Sequence, residues 1–146
     1  MIERILLIDN DLDEMDLFRE AIKDVNASLE CSVSEDGNEA LEKLSNQEFR
    51  NIQLILLDIN MPLMDGWETL ALLKKDETHR HIPVIMYSTS SVKTEAEKAL
   101  SLGAAGFITK PVFSNHYANL IRTIVSASKD SISNIPKEYK ALNARP

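Results

Sequence analysis

The sequence predicts an α/β fold: a doubly wound (βα)5 domain built on a parallel five-stranded sheet. Three features carry that expectation. Five short apolar runs alternate with longer stretches of helical periodicity, the pattern of strands joined by crossover helices. Central runs such as Leu54-Ile55-Leu56-Leu57 are apolar throughout, as in strands buried on both faces. Right-handed crossovers then distribute the helices over both faces of the sheet. In such a fold the functional site lies at the carboxyl ends of the strands, beside a switch in strand order.

The elements follow in order. The first run, Ile5-Leu6-Leu7-Ile8, ends in Asp9-Asn10-Asp11. Leu17, Phe18, Ala21, Ile22 and Val25 recur at three- and four-residue spacing and make one apolar stripe. Residues 29–33 are more polar, as an edge strand would be, and Ala40, Leu41 and Leu44 mark a helix after Gly37. The third run ends in Asp58, and Leu70 and Leu73 mark the helix after Gly66. Val84-Ile85-Met86-Tyr87 ends in Ser88; Ala96, Ala99 and Leu100 follow, with Gly103 as a natural stop. Gly106-Phe107-Ile108-Thr109 runs into Lys110, and Tyr117, Leu120, Ile121, Ile124 and Val125 form the last stripe. Residues 1–127 read as one domain. Residues 128–146 are polar, are interrupted by Pro136 and show no strong periodicity, so they read as a tail with a helical turn near residues 137–142 and no output domain.

Composition narrows the function classes. The chain has 146 residues, 44% hydrophobic and 27% charged, as in an ordinary soluble domain able to bury a core without disulfides. A net charge of -7 disfavours nonspecific binding to nucleic acid or anionic membranes. The lone Cys31 cannot form an internal disulfide and reads as a small apolar strand residue. No signal peptide is seen, and no run approaches the ~20 apolar residues of a membrane span, so a cytoplasmic location is expected. Phosphate-binding glycine loops, G-x-S-x-G and C-x-x-C are absent. His79, His81 and His116 read as solvated, and Trp67 and Phe18 as packing residues.

Four strand ends carry chemistry: Asp9, Asp58, Ser88 and Lys110. Singly, each is explained by the polarity of any strand end, where an Asp is more often a helix cap or turn former. Their contexts are more specific. Leu56-Leu57-Asp58-Ile59-Asn60-Met61-Pro62-Leu63-Met64-Asp65-Gly66, Pro83-Val84-Ile85-Met86-Tyr87-Ser88 and Gly106-Phe107-Ile108-Thr109-Lys110-Pro111 together resemble the phosphorylation loop, fourth strand and fifth strand of response regulator receiver domains, over roughly residues 2–127. The resemblance implies a flavodoxin-like, CheY-like sheet of order 2-1-3-4-5. It implies Asp58 as phosphoacceptor, fed by a sensor histidine kinase or phosphotransfer protein. Mg²⁺ would be held through Asp9, Asn10, Asp58 and the backbone carbonyl of Asn60. Lys110 would contact phosphoryl oxygens, Ser88 would bond the attached group, and Phe107 would respond to Ser88 as a switch. Asn60 and Ser90 would tune the acyl-phosphate lifetime, and the Lys110–Pro111 bond would be cis. Such a domain is not an enzyme in the ordinary sense, but assists its own phosphotransfer and autodephosphorylation. A carboxylate nucleophile fits this chemistry because phosphoryl transfer relies on positioning and charge stabilisation.

One position departs from the family. Where two adjacent acids are usual after the first strand, the chain has Asp9-Asn10. The missing charge implies weakened Mg²⁺ binding, unless Asp11 compensates by a loop shift. An alternative is a phosphorylation-independent interaction module on the same fold. A second is an aspartyl phosphatase, which would want an acid where Asn60 stands. A calcium loop also matches Asp9, Asp11, Asp13 and Glu20, but its sixth position is Glu14 rather than Gly and a strand precedes it. The expected output face, from the family, covers residues 93–102 and 107–125, pairing with a downstream protein or with a second copy.

Overall fold

The computed structural model describes residues 1–25 and 27–145. Five strands, β1 (Arg4–Ile8), β2 (Glu30–Ser34), β3 (Leu54–Asp58), β4 (Val84–Ser88) and β5 (Gly106–Thr109), alternate with helices α1 (Leu12–Val25), α2 (Gly37–Ser45), α3 (Gly66–Lys75), α4 (Lys93–Ser101) and α5 (Ser114–Ser126). All strand pairs are parallel. The order is β2-β1-β3-β4-β5, as the resemblance implies. β3 and β4 are buried along their whole length, whereas the edge strand β2 is mostly half-buried.

Side-chain alternation along the strands builds two cores. Ile5, Leu7, Leu54, Leu56, Ile85 and Tyr87 face one way, against Phe18 of α1 and Leu120 and Ile124 of α5. Leu6, Ile8, Ile55, Leu57 and Met86 face the other way, against Ala40 of α2, Leu70 and Leu73 of α3 and Ala99 of α4. α4 buries little else: Leu100, placed in its apolar stripe by the sequence, is 60% exposed.

Of the expected tail, residues 128–146, the described part to residue 145 is largely structured. A 3₁₀ helix (Lys129–Asn134) leads into a sixth helix, α6 (Ile135–Asn143), with Pro136 in its first turn where a missing N–H costs nothing. Ile132, Ile135 and Tyr139 are buried in the same core as α1 and α5. Gly106 allows the approach: a Cβ there would lie 2.9 Å from Pro136 Cγ. Asn119 of α5 donates to Asn143 at 3.0 Å. The expected output face is therefore partly covered by α6, and what remains open includes α4 and the exposed Val112 and Phe113.

Three smaller expectations are corrected. The Lys110–Pro111 bond is trans, since no cis peptide occurs among the described residues; trans is the ordinary preference even before proline. His79 is buried rather than solvated, because its Nδ1 pairs with Asp76 Oδ2 at 2.9 Å at the end of α3. Leu17 is 39% exposed, the stripe of α1 being carried by Met15, Phe18 and Ala21. Cys31 is half-buried, and burial pushes its thiol up to about 12, which leaves it unreactive.

If α6 is docked as described, Ile135→Ala lowers unfolding free energy by about 2–5 kcal/mol, the range for a buried Ile truncation. Denaturant melts check it, and a change within error would make the segment an appendage.

Candidate functional site

The switch in strand order puts β1 and β3 side by side, so Asp9 and Asp58 leave the sheet as neighbours. Asp9 is fully buried and Asp58 is 4% exposed. Their charge is met from β5, two strands away from β3: Lys110 Nζ lies 2.7 Å from Asp9 Oδ2 and 3.5 Å from Asp58 Oδ1. The stem crosses the intervening strand, where the ammonium stands 5.5 Å from the Tyr87 ring centre. Asp9 Oδ2 has no directed hydrogen bond, so the Lys110 contact is an ion pair, and Oδ1 accepts from Asp11 N–H at 3.0 Å.

Asp58 is held by its own loop. The backbone N–H of Asn60 favours the charged form of Asp58. Gly66 N–H donates to the Ile59 carbonyl at 2.8 Å, folding the loop back on itself. A Cβ at Gly66 would lie 2.2 Å from the Asp58 carbonyl oxygen, so only glycine fits. Asp65 then caps α3, accepting from Glu68 N–H at 2.9 Å.

Electrostatics separates the two acids' environments. Burial, and then the nearby Asp9 charge, raise Asp58 from 3.8 to about 6, despite opposing contributions from Lys110 and Asn60. The closer approach of Lys110 to Asp9 explains why its charge compensates Asp58 only in part. Burial alone would lower the lysine, but Asp9 and Asp58 outweigh it and the net shift is upward.

The remaining expected residues fall around this core. Asn10 is exposed beside Asp58. With its nitrogen facing the site it donates to Asp58 Oδ2 and to the Asn60 carbonyl, each at 3.2 Å; the reverse orientation would set an oxygen against two acceptors. Asp11 does not shift inward: its Oδ1 accepts from Asp13 N–H at the start of α1. Ser88 is fully buried at the end of β4, and its Oγ accepts from Ser90 N–H at 3.1 Å. Its carbonyl accepts from Lys110 N–H, fixing the base of the lysine. Ser90 Oγ accepts from Val92 N–H at 3.1 Å. Phe107 is half-buried and borders a cleft with Pro136 and Lys140 of α6.

Sequence reasoning missed Glu14. Expected as a first-turn helix acid, it points inward, 5% exposed, and accepts from Tyr87 Oη at 2.6 Å and Tyr117 Oη at 2.5 Å. The triad ties α1 to β4 and α5 directly behind Lys110. Its signal in the sequence was faint: Glu14 stands one residue before buried Met15 and four before Phe18.

A carboxylate pair bridged by a lysine, at the carboxyl edge of a 2-1-3-4-5 sheet, defines a CheY-like receiver. The response regulator receiver domain model matches residues 5–122, and the chain belongs to that family. Receivers of this family are generally signalling modules rather than enzymes. The chain is 30% identical to the polar-differentiation response regulator DivK of Brucella ovis, over 84% of this chain and 96% of that one. It is 29% identical to the Mn(2+)-bound form of response regulator Rcp1, with a TM-score of 0.71 over 85% of this chain and 92% of that one. The phosphorylated cyanobacterial phytochrome response regulator RcpA gives 29% identity and a TM-score of 0.74, over 88% and 98%. Other relatives are longer: the chain spans 53% of the probable transcriptional regulator ycf29 of Pyropia yezoensis, to which it is 30% identical over 84% of its own length. No helix among the described residues is long and apolar enough to cross a membrane.

The raised Asp58 makes a signed prediction. A folded value near 6 against an ordinary 3.8 means the folded state holds its proton more tightly. Asp58's contribution is most favourable below pH 4 and is lost as pH rises through about 6. Asp58→Asn therefore melts a few degrees higher than the wild type at pH 8 without metal, with the gain shrinking toward pH 4. Melting curves in chelator across pH measure it; a pH-independent difference would contradict it.

Proposed function

We propose that Asp58 accepts a phosphoryl group from a histidine kinase or phosphotransfer protein and that the domain signals by protein contact. The observation that carries this is the Asp58 carboxylate itself. It is nearly buried, with Oδ1 3.5 Å from Lys110 and Oδ2 on the side of Asn10. In the transfer an Asp58 oxygen forms the O–P bond as the donor's P–N bond breaks, and the departing imidazole takes up a proton. Lys110 meets the charge on the phosphoryl oxygens as a point charge. Ser88 and Phe107 are assigned to the switch, with Ser90 and Asn60 bordering the water side of the acyl phosphate.

The oxygen-only donors at Asp58 and Asn60 suit a hard divalent cation, and Asn10 offers a further oxygen when its amide is turned. Mg²⁺, when bound, would neutralise charge on the transferring oxygens. Asp9, with one oxygen on Lys110, would act from behind as a charge. The Mn(2+)-bound Rcp1 structure supports cation binding here. Intact positions Asp58, Lys110 and Ser88 favour this reading over a phosphorylation-independent module. The downstream partner is assigned to the surface around α4 and the Val112–Phe113 loop, beside α6.

Intact-mass measurement after incubation with a small phosphodonor and Mg²⁺ tests the acceptor. One phosphoryl adduct is expected for the wild type and none for Asp58→Asn; an adduct surviving that substitution would place the chemistry elsewhere. Restoring the charge with Asn10→Asp tightens Mg²⁺ binding by about tenfold, since cation sites are tuned by ligand charge. Unchanged affinity by calorimetry would remove the charge explanation.

A further inference from the structure

The Asn10 amide has a role that its neutrality alone does not explain. Turned with its nitrogen toward the site, the orientation that sets donors against acceptors, the amide places that nitrogen 3.2 Å from both Asp58 Oδ2 and the Asn60 carbonyl. These are the two acceptors assigned above to the cation. Asp58 itself is nearly buried, next to the fully buried Asp9. A planar NH₂ group carries two donors in a fixed fork, so one amide bridges both acceptors at once.

We infer that Asn10 is an internal stand-in for the divalent cation: it holds the metal-free site together by donation, and a cation must displace that donation to bind. The inference rests on the cation assignment of the preceding section. An acid at position 10 would add a third negative charge to Asp9 and Asp58, with only Lys110 to offset them. Asn10 replaces that repulsion with two hydrogen bonds, one of them charge-assisted. The metal-free site is thereby already ordered, with Asp58 Oδ2 held and Oδ1 left toward Lys110. The same bonds oppose a cation. For Asn10 to present its oxygen, both must break and the amide must turn over. Weak metal binding then has two sources, a missing charge and an occupied ground state.

The two sources respond differently to truncation. Asn10→Ala removes an oxygen donor but also removes the stand-in. Wild type, Asn10→Ala, Asn10→Asp and Asp58→Asn are compared as full-length chains by thermal melting in chelator and by Mg²⁺ titration. Calorimetry and the fluorescence of Trp67, the chain's single tryptophan, serve as readouts. In chelator, Asn10→Ala is expected to melt about 3 °C below the wild type and Asn10→Asp lower still. With Mg²⁺, Asn10→Ala is expected to bind as tightly as the wild type or up to severalfold more tightly. Asn10→Asp should show the largest rise in melting temperature on adding the cation. If Asn10→Ala melts no lower than the wild type in chelator, the bridging bonds contribute nothing and the inference falls. If Asn10→Ala binds Mg²⁺ at least threefold more weakly, Asn10 is a ligand first and the stand-in role is equally overturned. Failure of the cation assignment looks different: Mg²⁺ binding would persist unchanged in Asp58→Asn, while the melting order in chelator still decides the role of Asn10.

Discussion

The Lys110 ammonium is the contact on which the site depends. Two carboxylates are brought together at the switch between β1 and β3, and both are almost removed from water. Buried charge of one sign is costly unless paired. The counter-charge arrives across β4 from Lys110, the residue that follows β5. Its base is fixed by the hydrogen bond from Lys110 N–H to the Ser88 carbonyl, and its head by Asp9. Beneath it, Tyr87 is anchored by Glu14, which also receives Tyr117. The position of one ammonium is thus set by three strands and two helices.

This geometry divides the labour between the acids. Asp9 takes the shorter lysine contact and the deeper burial, so it acts as a fixed charge. Asp58 keeps the longer contact, a value raised to about 6, and a carboxylate whose two oxygens face different partners. The second of those partners, Asn10, is where this chain departs from its family. With an amide there the cluster holds one uncompensated negative charge; with an acid it would hold two.

Much of this was legible in the sequence, and the rest was not for identifiable reasons. Continuous apolar runs such as residues 54–57 determine buried parallel strands, and each one's first polar residue marks the sheet's carboxyl edge. Asp9, Asp58 and Ser88 followed from that, while Lys110, one residue past Thr109, was singled out by the motif around it. The direction of the Asn10 amide did not, because it depends on which atoms surround it and not on its neighbours in the chain. Glu14 looked like a helix-start acid, and nothing local shows that two tyrosines more than seventy residues away would meet it. The docking of α6 was recoverable: Ile132, Ile135 and Tyr139 stand at helical spacing, but the polar residues between them and Pro136 masked a short stripe. The Lys110–Pro111 bond was expected as cis from family resemblance, and the structure has it trans.

The most direct test of the central constraint is the pH dependence of stability in Lys110→Met, measured by denaturant melts without metal. Without the ammonium, nothing from Lys110 opposes the burial and the Asp9 charge that raise Asp58. The stability tied to Asp58 is then retained at low pH and lost as pH rises through its raised value. The account predicts a loss of about 3–5 kcal/mol at pH 8, much of it recovered near pH 4. A variant as stable as the wild type at pH 8 would contradict it, and would mean that the two carboxylates do not need the lysine to share the site.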